Sequence, residues 1–144
     1  MPDCSAGEAV ANRPAPTVGE TQPVRAAARK MKARRSSAVL VVERGRLVGI
    51  CTERDIVFGV VAAGLDPAKT PVADIMTREP QTIAADRPFG HALHLMYEGG
   101  FRHVPVIDAE GKPIGLLAAS DALGDDGRQL EEELVRREEI TVIL

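Results

Sequence analysis

The chain has 144 residues, 44% of them hydrophobic and 27% charged, which excludes wholesale disorder and bounds it at one domain or two tightly paired half-domains. The apolar run over residues 56–65 falls far short of the roughly 20 residues a membrane span needs, and the opening Met-Pro-Asp-Cys-Ser-Ala-Gly-Glu lacks the basic start and apolar core of a secretory signal. The net charge of −3 hides a split, with nine Lys/Arg against four Asp/Glu over residues 1–50 and nine against seventeen thereafter.

Residues 1–13 show no periodicity and are expected to form a loose N-terminal tail. Thr17-Val18 reads as a short strand, and Pro23 opens a helix over residues 23–34, where its missing N–H would be unpaired in any case. Val24, Ala27, Ala28 and Met31 fall on one face of that helix. Two apolar runs, residues 38–42 and 46–51, flank Glu43-Arg44-Gly45, which is a hairpin signal. Thr52-Glu53-Arg54-Asp55 then reads as a helix cap with an acid three residues on, and the helix ends near Gly64. Residues 67–71 are a polar linker, and residues 72–76 add a turn of helix. The series then recurs. Thr82-Ile83 is a strand, and a helix over residues 88–98 presents Phe89, Ala92, Leu93 and Met96 before Gly99-Gly100 stops it. Runs at 104–107 and 113–117 flank Asp108-Ala109-Glu110-Gly111. Residues 128–140 read as a charged helix with Leu130 and Leu134 inward, and residues 140–144 as an apolar tail covered by a dimer partner.

The recurrence has a fixed register. Thr17, Pro23, Ala27 and Met31 match Thr82, Pro88, Ala92 and Met96 at an offset of 65, and Gly45, Gly49 and Asp55 match Gly111, Gly115 and Asp121 at 66. The fold class is therefore α/β in the α+β sense: two β-α-β-β-α units packed by pseudo-two-fold symmetry, each sheet covered by helices on one face. The copies span residues 14–66 and 72–125, with a C-terminal helix and tail over 126–144.

These residues resemble the cystathionine β-synthase (CBS) domain family, as a tandem pair forming one Bateman module, over roughly residues 14–123. Gly49-Ile50-Cys51-Thr52-Glu53-Arg54-Asp55 fits the family's Gly-hydrophobic-hydrophobic-Thr/Ser-x-x-Asp pattern at every position. Asp74-Ile75-Met76-Thr77 with Pro80 and Thr82, and Phe101-Arg102-His103-Val104-Pro105-Val106-Ile107-Asp108, add to the likeness. The resemblance implies a regulatory or sensor module binding an adenosine-containing ligand, such as AMP, ADP, ATP or S-adenosylmethionine, between the copies. It implies no obligatory cofactor, a homodimer and an effector protein that reads the bound state. The main site it implies takes Ile50, Thr52 and Asp55 from the first copy with Thr82, Ile83, Arg102, His103, Val104 and Pro105 from the second. The mirror site takes Thr17, Val18, Ser37, Ala38 and Val39 with Asp121. It is expected to be weaker, because Ala118 stands where the pattern has a hydroxyl and Ser120 comes two residues late.

The chemistry of these residues suits such a ligand. A helix start offers unpaired N–H groups and a positive dipole end to phosphate. An ionised Asp55 is acceptor-only and matches a pair of ribose hydroxyls. Arg102 and His103 can meet phosphate charge, and Ile83 and Val104 offer apolar faces and edge backbone groups to adenine. The same Thr52-x-x-Asp55 is also an ordinary capping box, and both readings can hold together.

Other functions draw less support. No nucleophile–base pair, metal cluster or paired catalytic carboxylates stand out, so the chain is read as a non-enzyme. Cys4 and Cys51 form no CxxC, which fits a reducing cytoplasm, and Cys51 is expected to be inert in the core. His91 and His94 stand three apart on a helix without a third ligand, so no metal is expected. The basic run over residues 25–35 reads as a solvated helix face. Nucleic-acid binding through it is an alternative, weakened by the absence of Trp and the scarcity of stacking aromatics (Tyr97, Phe58, Phe89 and Phe101). A structural dimerisation module with empty clefts is the other.

Overall fold

Pro23 and Pro88 each stand in extended backbone as the last non-helical residue before α2 (Val24–Arg34) and α4 (Phe89–Gly99). Both helices end in a left-handed residue, Arg35 at φ 49° and Gly100 at φ 72°. Glycine adopts that conformation freely, whereas a residue with a Cβ does so at a cost of about 1–2 kcal/mol. The computed structural model describes residues 4–123.

Two sheets follow from the two hairpins. β1 (Thr17–Val18), β2 (Ala38–Glu43), β3 (Arg46–Thr52) and β4 (Thr77–Arg78) lie in the order β1-β2-β3-β4. β5 (Ile83–Ala84), β6 (His103–Ile107) and β7 (Pro113–Ala118) form a three-stranded sheet in chain order. In each copy the short strand runs parallel to the first hairpin strand, and the hairpin itself is antiparallel. A register shift falls at Val41/Val42 and at Val106/Ile107, the same place in both copies.

Alternation along the strands sorts side chains to two faces. On the helix side, Val39, Val41 and Cys51 pack with Val24, Ala27 and Met31 in the first copy. Val104, Val106 and Leu117 pack with Phe89, Ala92 and Met96 in the second. On the other face Ala38, Leu40 and Ile50 meet Leu116 of the opposite copy, so β2 is buried on both sides. The Leu40 N–H also donates to the Pro16 carbonyl at 2.9 Å, tying the segment before β1 to the sheet. Its counterpart Pro105 has no N–H to give.

The expected loose tail is corrected over residues 4–13. Ala6–Ala9 forms a helical turn, α1, whose N-cap Ser5 accepts the Glu8 N–H at 3.1 Å. Ala6 N–H donates to Arg87 O at 2.8 Å, Gly7 N–H to Ala85 O at 2.9 Å, and Phe89 N–H to Cys4 O at 2.9 Å. Ala6 and Val10 join the core of the second copy, and Val10 lies so close to Gly115 that a Cβ there would sit 2.6 Å from Val10 Cγ2. Four helical residues are too few to show a period, and what orders them is tertiary docking.

The expected helix after Thr52 is a short α-turn, α3 (Glu53–Ile56), that widens into a π-helical turn over Val57–Val61. Gly59 makes room there for Ile75, whose Cγ2 would stand 3.0 Å from a Cβ. The turn of helix expected over 72–76 is a 3₁₀ turn, Val72–Asp74. Among the described residues no helix is long and apolar enough to cross a membrane. The expected charged helix over 128–140, the apolar residues 140–144 and the unit over 126–144 lie outside the described residues.

Candidate ligand cleft between the two copies

Where β3 enters α3 the capping box forms in full. Asp55 N–H donates to Thr52 Oγ1 at 3.1 Å, and Thr52 N–H donates to Asp55 Oδ2 at 2.9 Å. Glu53 N–H donates to the Ser37 carbonyl at 3.0 Å. The unpaired N–H groups expected to receive phosphate there are therefore largely engaged already, which corrects that part of the sequence reading. Among the described residues Asp55 Oδ1 keeps no hydrogen-bond partner. The second copy builds the same turn with less. Asp121 Oδ2 accepts the Ala118 N–H at 2.8 Å and Ala119 N–H donates to Arg102 O at 2.9 Å, while Ala118 brings no hydroxyl.

The copies touch at Ser37 and His103, whose Oγ and Nε2 are 2.7 Å apart. A cavity of about 260 Å³ opens beside that contact. Arg34, Arg35, Ser36 and Ser37 wall it from the first copy, and His103, Leu116, Ser120 and Asp121 from the second. Residues 13–16 complete it. Arg13 lays its guanidinium on Asp121 as a two-pronged fork, Nη1 to Oδ1 at 2.8 Å and Nη2 to Oδ2 at 2.9 Å, and Nη2 also reaches Leu116 O at 3.1 Å. Arg34 Nη2 donates to Pro14 O at 2.7 Å. Burial holds the His103 imidazole below its usual pKa, the carboxylates of Glu53 and Asp121 pull it back up, and Arg102 adds to the depression. His103 thus stands between the two acid-bearing turns, and is neutral at neutral pH.

Ser37, His103 and Asp121 line the cavity, whereas Thr52 and Asp55, on the turn from β3 into α3, are not part of its wall. Ala38 and Ile50 face the opposite copy, as does Pro105, whose register partner is Leu116. Four expected site residues turn the other way. Val18 and Val39 belong to the first helix-side core, and Ile83 and Val104 to the second, so their side chains present no apolar face to a ligand. In a strand, neighbours of cleft-facing residues must point away. Thr17 is exposed on β1, Thr82 is half-buried ahead of β5, and Arg102 is exposed. Sequence reasoning missed Arg13, Arg34, Arg35, Ser36 and Ser120, and this open cavity lies in the cleft it ranked weaker.

Cys51 is fully buried, and its thiol is pushed up to about 12, chiefly by burial and then by the Asp55 charge. His94 pairs with Glu98 at 3.0 Å, and among the described residues no three His, Cys, Asp or Glu are grouped to hold a metal. The basic run divides: Arg25, Arg29, Lys30 and Lys32 are exposed, while Arg34 and Arg35 enter the cavity wall.

The CBS domain family model matches residues 6–62 and 72–125. A CBS domain-containing protein of Arabidopsis thaliana, CBSCBSPB1, is 40% identical over 100 residues, 69% of this chain and 18% of its own length. The chain thus spans about a fifth of the Arabidopsis relatives it matches. The uncharacterized protein MK0525 of Methanopyrus kandleri is 36% identical over 124 residues, 85% of this chain and 63% of its own. The CBS domain protein PAE2072 from Pyrobaculum aerophilum, complexed with AMP, is similar at a TM-score of 0.77 and 28% identity, covering 88% of this chain and 96% of that one. The CBS-domain containing protein ATU1752 from Agrobacterium tumefaciens gives a TM-score of 0.73 at 28% identity, covering 83% and 96%.

Proposed function

The chain belongs to the CBS domain family as a tandem pair, and from that premise we propose that it is a regulatory module binding an adenine nucleotide between its copies and passing the bound state to a partner protein. The observation that carries the proposal is the polar cavity built from both copies, with Arg34 and Arg35 on one wall and His103 and Asp121 on the other. Guanidinium groups suit phosphate, and on the matching turn Asp55, with Oδ1 unengaged, suits a ribose diol, whereas Asp121 is engaged by Arg13. Ala15, Pro16 and Leu116 supply the apolar wall for a base. The AMP complex of the Pyrobaculum relative, similar over most of both chains, points to the same ligand class.

By the pseudo-two-fold we infer a second cleft at Asp55 to match the one at Asp121. The Asp55 cleft is the main site, because its acid keeps a free oxygen for the sugar. A ligand held by both copies shifts their packing by its differential affinity for the two arrangements. Beyond residues 72–78, which pack into the first copy, the facing sheets meet through a small apolar cluster and the Ser37–His103 hydrogen bond, so that contact is the part open to bias. Val57, Phe58 and Val61 on the π-helical turn, with Leu65 beyond its end, are 47–70% exposed and are the face through which the module dimerises.

Thermal unfolding in AMP, ADP, ATP and S-adenosylmethionine tests the reading. A ligand at 100 times its Kd adds about 2.7 kcal/mol of stability. Asp55→Ala is expected to weaken nucleotide binding about ten- to a hundred-fold. Absence of stabilisation by all four, together with no small molecule released from the purified protein on heat denaturation, leaves an empty-cleft structural module instead.

A further inference from the structure

We propose that Arg13 is an internal occupant of the Asp121 cleft, so that this second site accepts its ligand only when the segment carrying Arg13 shifts. The inference rests on the nucleotide reading above and adds its regulation. Both Asp121 oxygens accept from the Arg13 fork, and Oδ2 also accepts the Ala118 N–H, which leaves at most one acceptor site, on Oδ1, where a pair of sugar hydroxyls needs two. Asp55, the equivalent acid, meets no such cation among the described residues.

The placement of Arg13 is set by its neighbours on both sides. Upstream, Ala6 and Val10 are buried against the second copy, and Asn12 turns the chain in a left-handed conformation at φ 61°. Downstream, Pro14 restricts Arg13 to extended backbone, and the Pro14 carbonyl is held by Arg34. Arg13 itself lines the cavity of about 260 Å³ beside the fork, so a ligand entering it meets the guanidinium. The lock is one that a ligand can open. The Arg13 and Asp121 side chains are 44% and 21% exposed, and an ion pair that wet is of modest strength.

Calorimetric titration of AMP into the whole chain, compared with Arg13→Gln and Arg13→Lys, tests this. The natural sequence should bind at the Asp55 cleft, with a second event weak or undetected. Arg13→Gln should tighten the second event about tenfold while leaving the first unchanged, and Arg13→Lys, which keeps the charge but loses the fork, should fall between. A second event equal or weaker in Arg13→Gln, with the first event intact, overturns the lock and leaves the nucleotide reading standing. No heat from any of the three proteins overturns both. Should Arg13→Gln fail to fold, hydrogen exchange on the natural chain decides. AMP at concentrations filling both clefts should speed exchange across residues 4–13, and unchanged exchange there refutes the proposal.

Discussion

Truncating Val10 tests whether the N-terminal segment is part of the folded unit. The side chain is 2% exposed and packs among Ala6, Phe89, Val104 and Leu117. Val10→Ala removes two methyl groups, each worth about 0.8 kcal/mol of transfer. The space left does not collapse readily, because Val10 fills the room that glycine leaves at position 115, and a cavity contribution brings the expected loss to about 2 kcal/mol. Urea unfolding should show a lower midpoint at an unchanged slope. Gly115→Ala should destabilise too, since its Cβ would stand 2.6 Å from Val10 Cγ2. The double variant should recover little of the loss, because the Cβ that alanine keeps at position 10 is the atom nearest the new methyl. An unfolding free energy for Val10→Ala within about 0.5 kcal/mol of the natural chain is what a surface substitution gives, and it would mean that residues 4–13 are not docked.

Two further outcomes follow from burial. His103, held below its ordinary value of about 6.5, leaves the unfolded chain to take up its proton first. Stability should therefore fall as pH drops through 6.5 and level off below the native value, and AMP should move the His103 resonance upward by favouring the charged ring. A ring titrating at or above 6.5 without ligand contradicts the assignment. The Cys51 thiol, pushed up to about 12, should stay unlabelled by a disulfide reagent at pH 8 until urea unfolds the chain, and native-state labelling of Cys51 would contradict its burial.

Local rules made the repeat legible. Pro23 and Pro88 mark helix starts to within a residue, the hairpin runs match β2, β3, β6 and β7 closely, and the Thr52–Asp55 box forms with both of its hydrogen bonds. What escaped depends on distant partners. β4 is two exposed residues whose strand character comes from pairing with Gly49 and Ile50. The docking of residues 4–10 relies on Gly115, a residue that in the sequence marks only the repeat. Arg34 and Arg35 carry no mark that separates them from Arg25 and Arg29. Only the end of α2, delivering the chain to the cleft, does so. Arg13 lies in a stretch without period, 108 residues from the acid it holds, a distance no local pattern spans.

Pro105 carries a consequence beyond its strand. In the first half, the amide of Leu40 pins the stretch leading into β1, which fixes one rim of the Asp121 cleft. In the second half the same bond is chemically unavailable at Pro105, and β5 begins only at Ile83, one residue past the match to Thr17. The lip around Thr82 therefore has one backbone tie fewer than its twin. One imino acid thus leaves a duplicated architecture with unlike jaws, and a molecule seated equally in the two hollows would not be gripped alike.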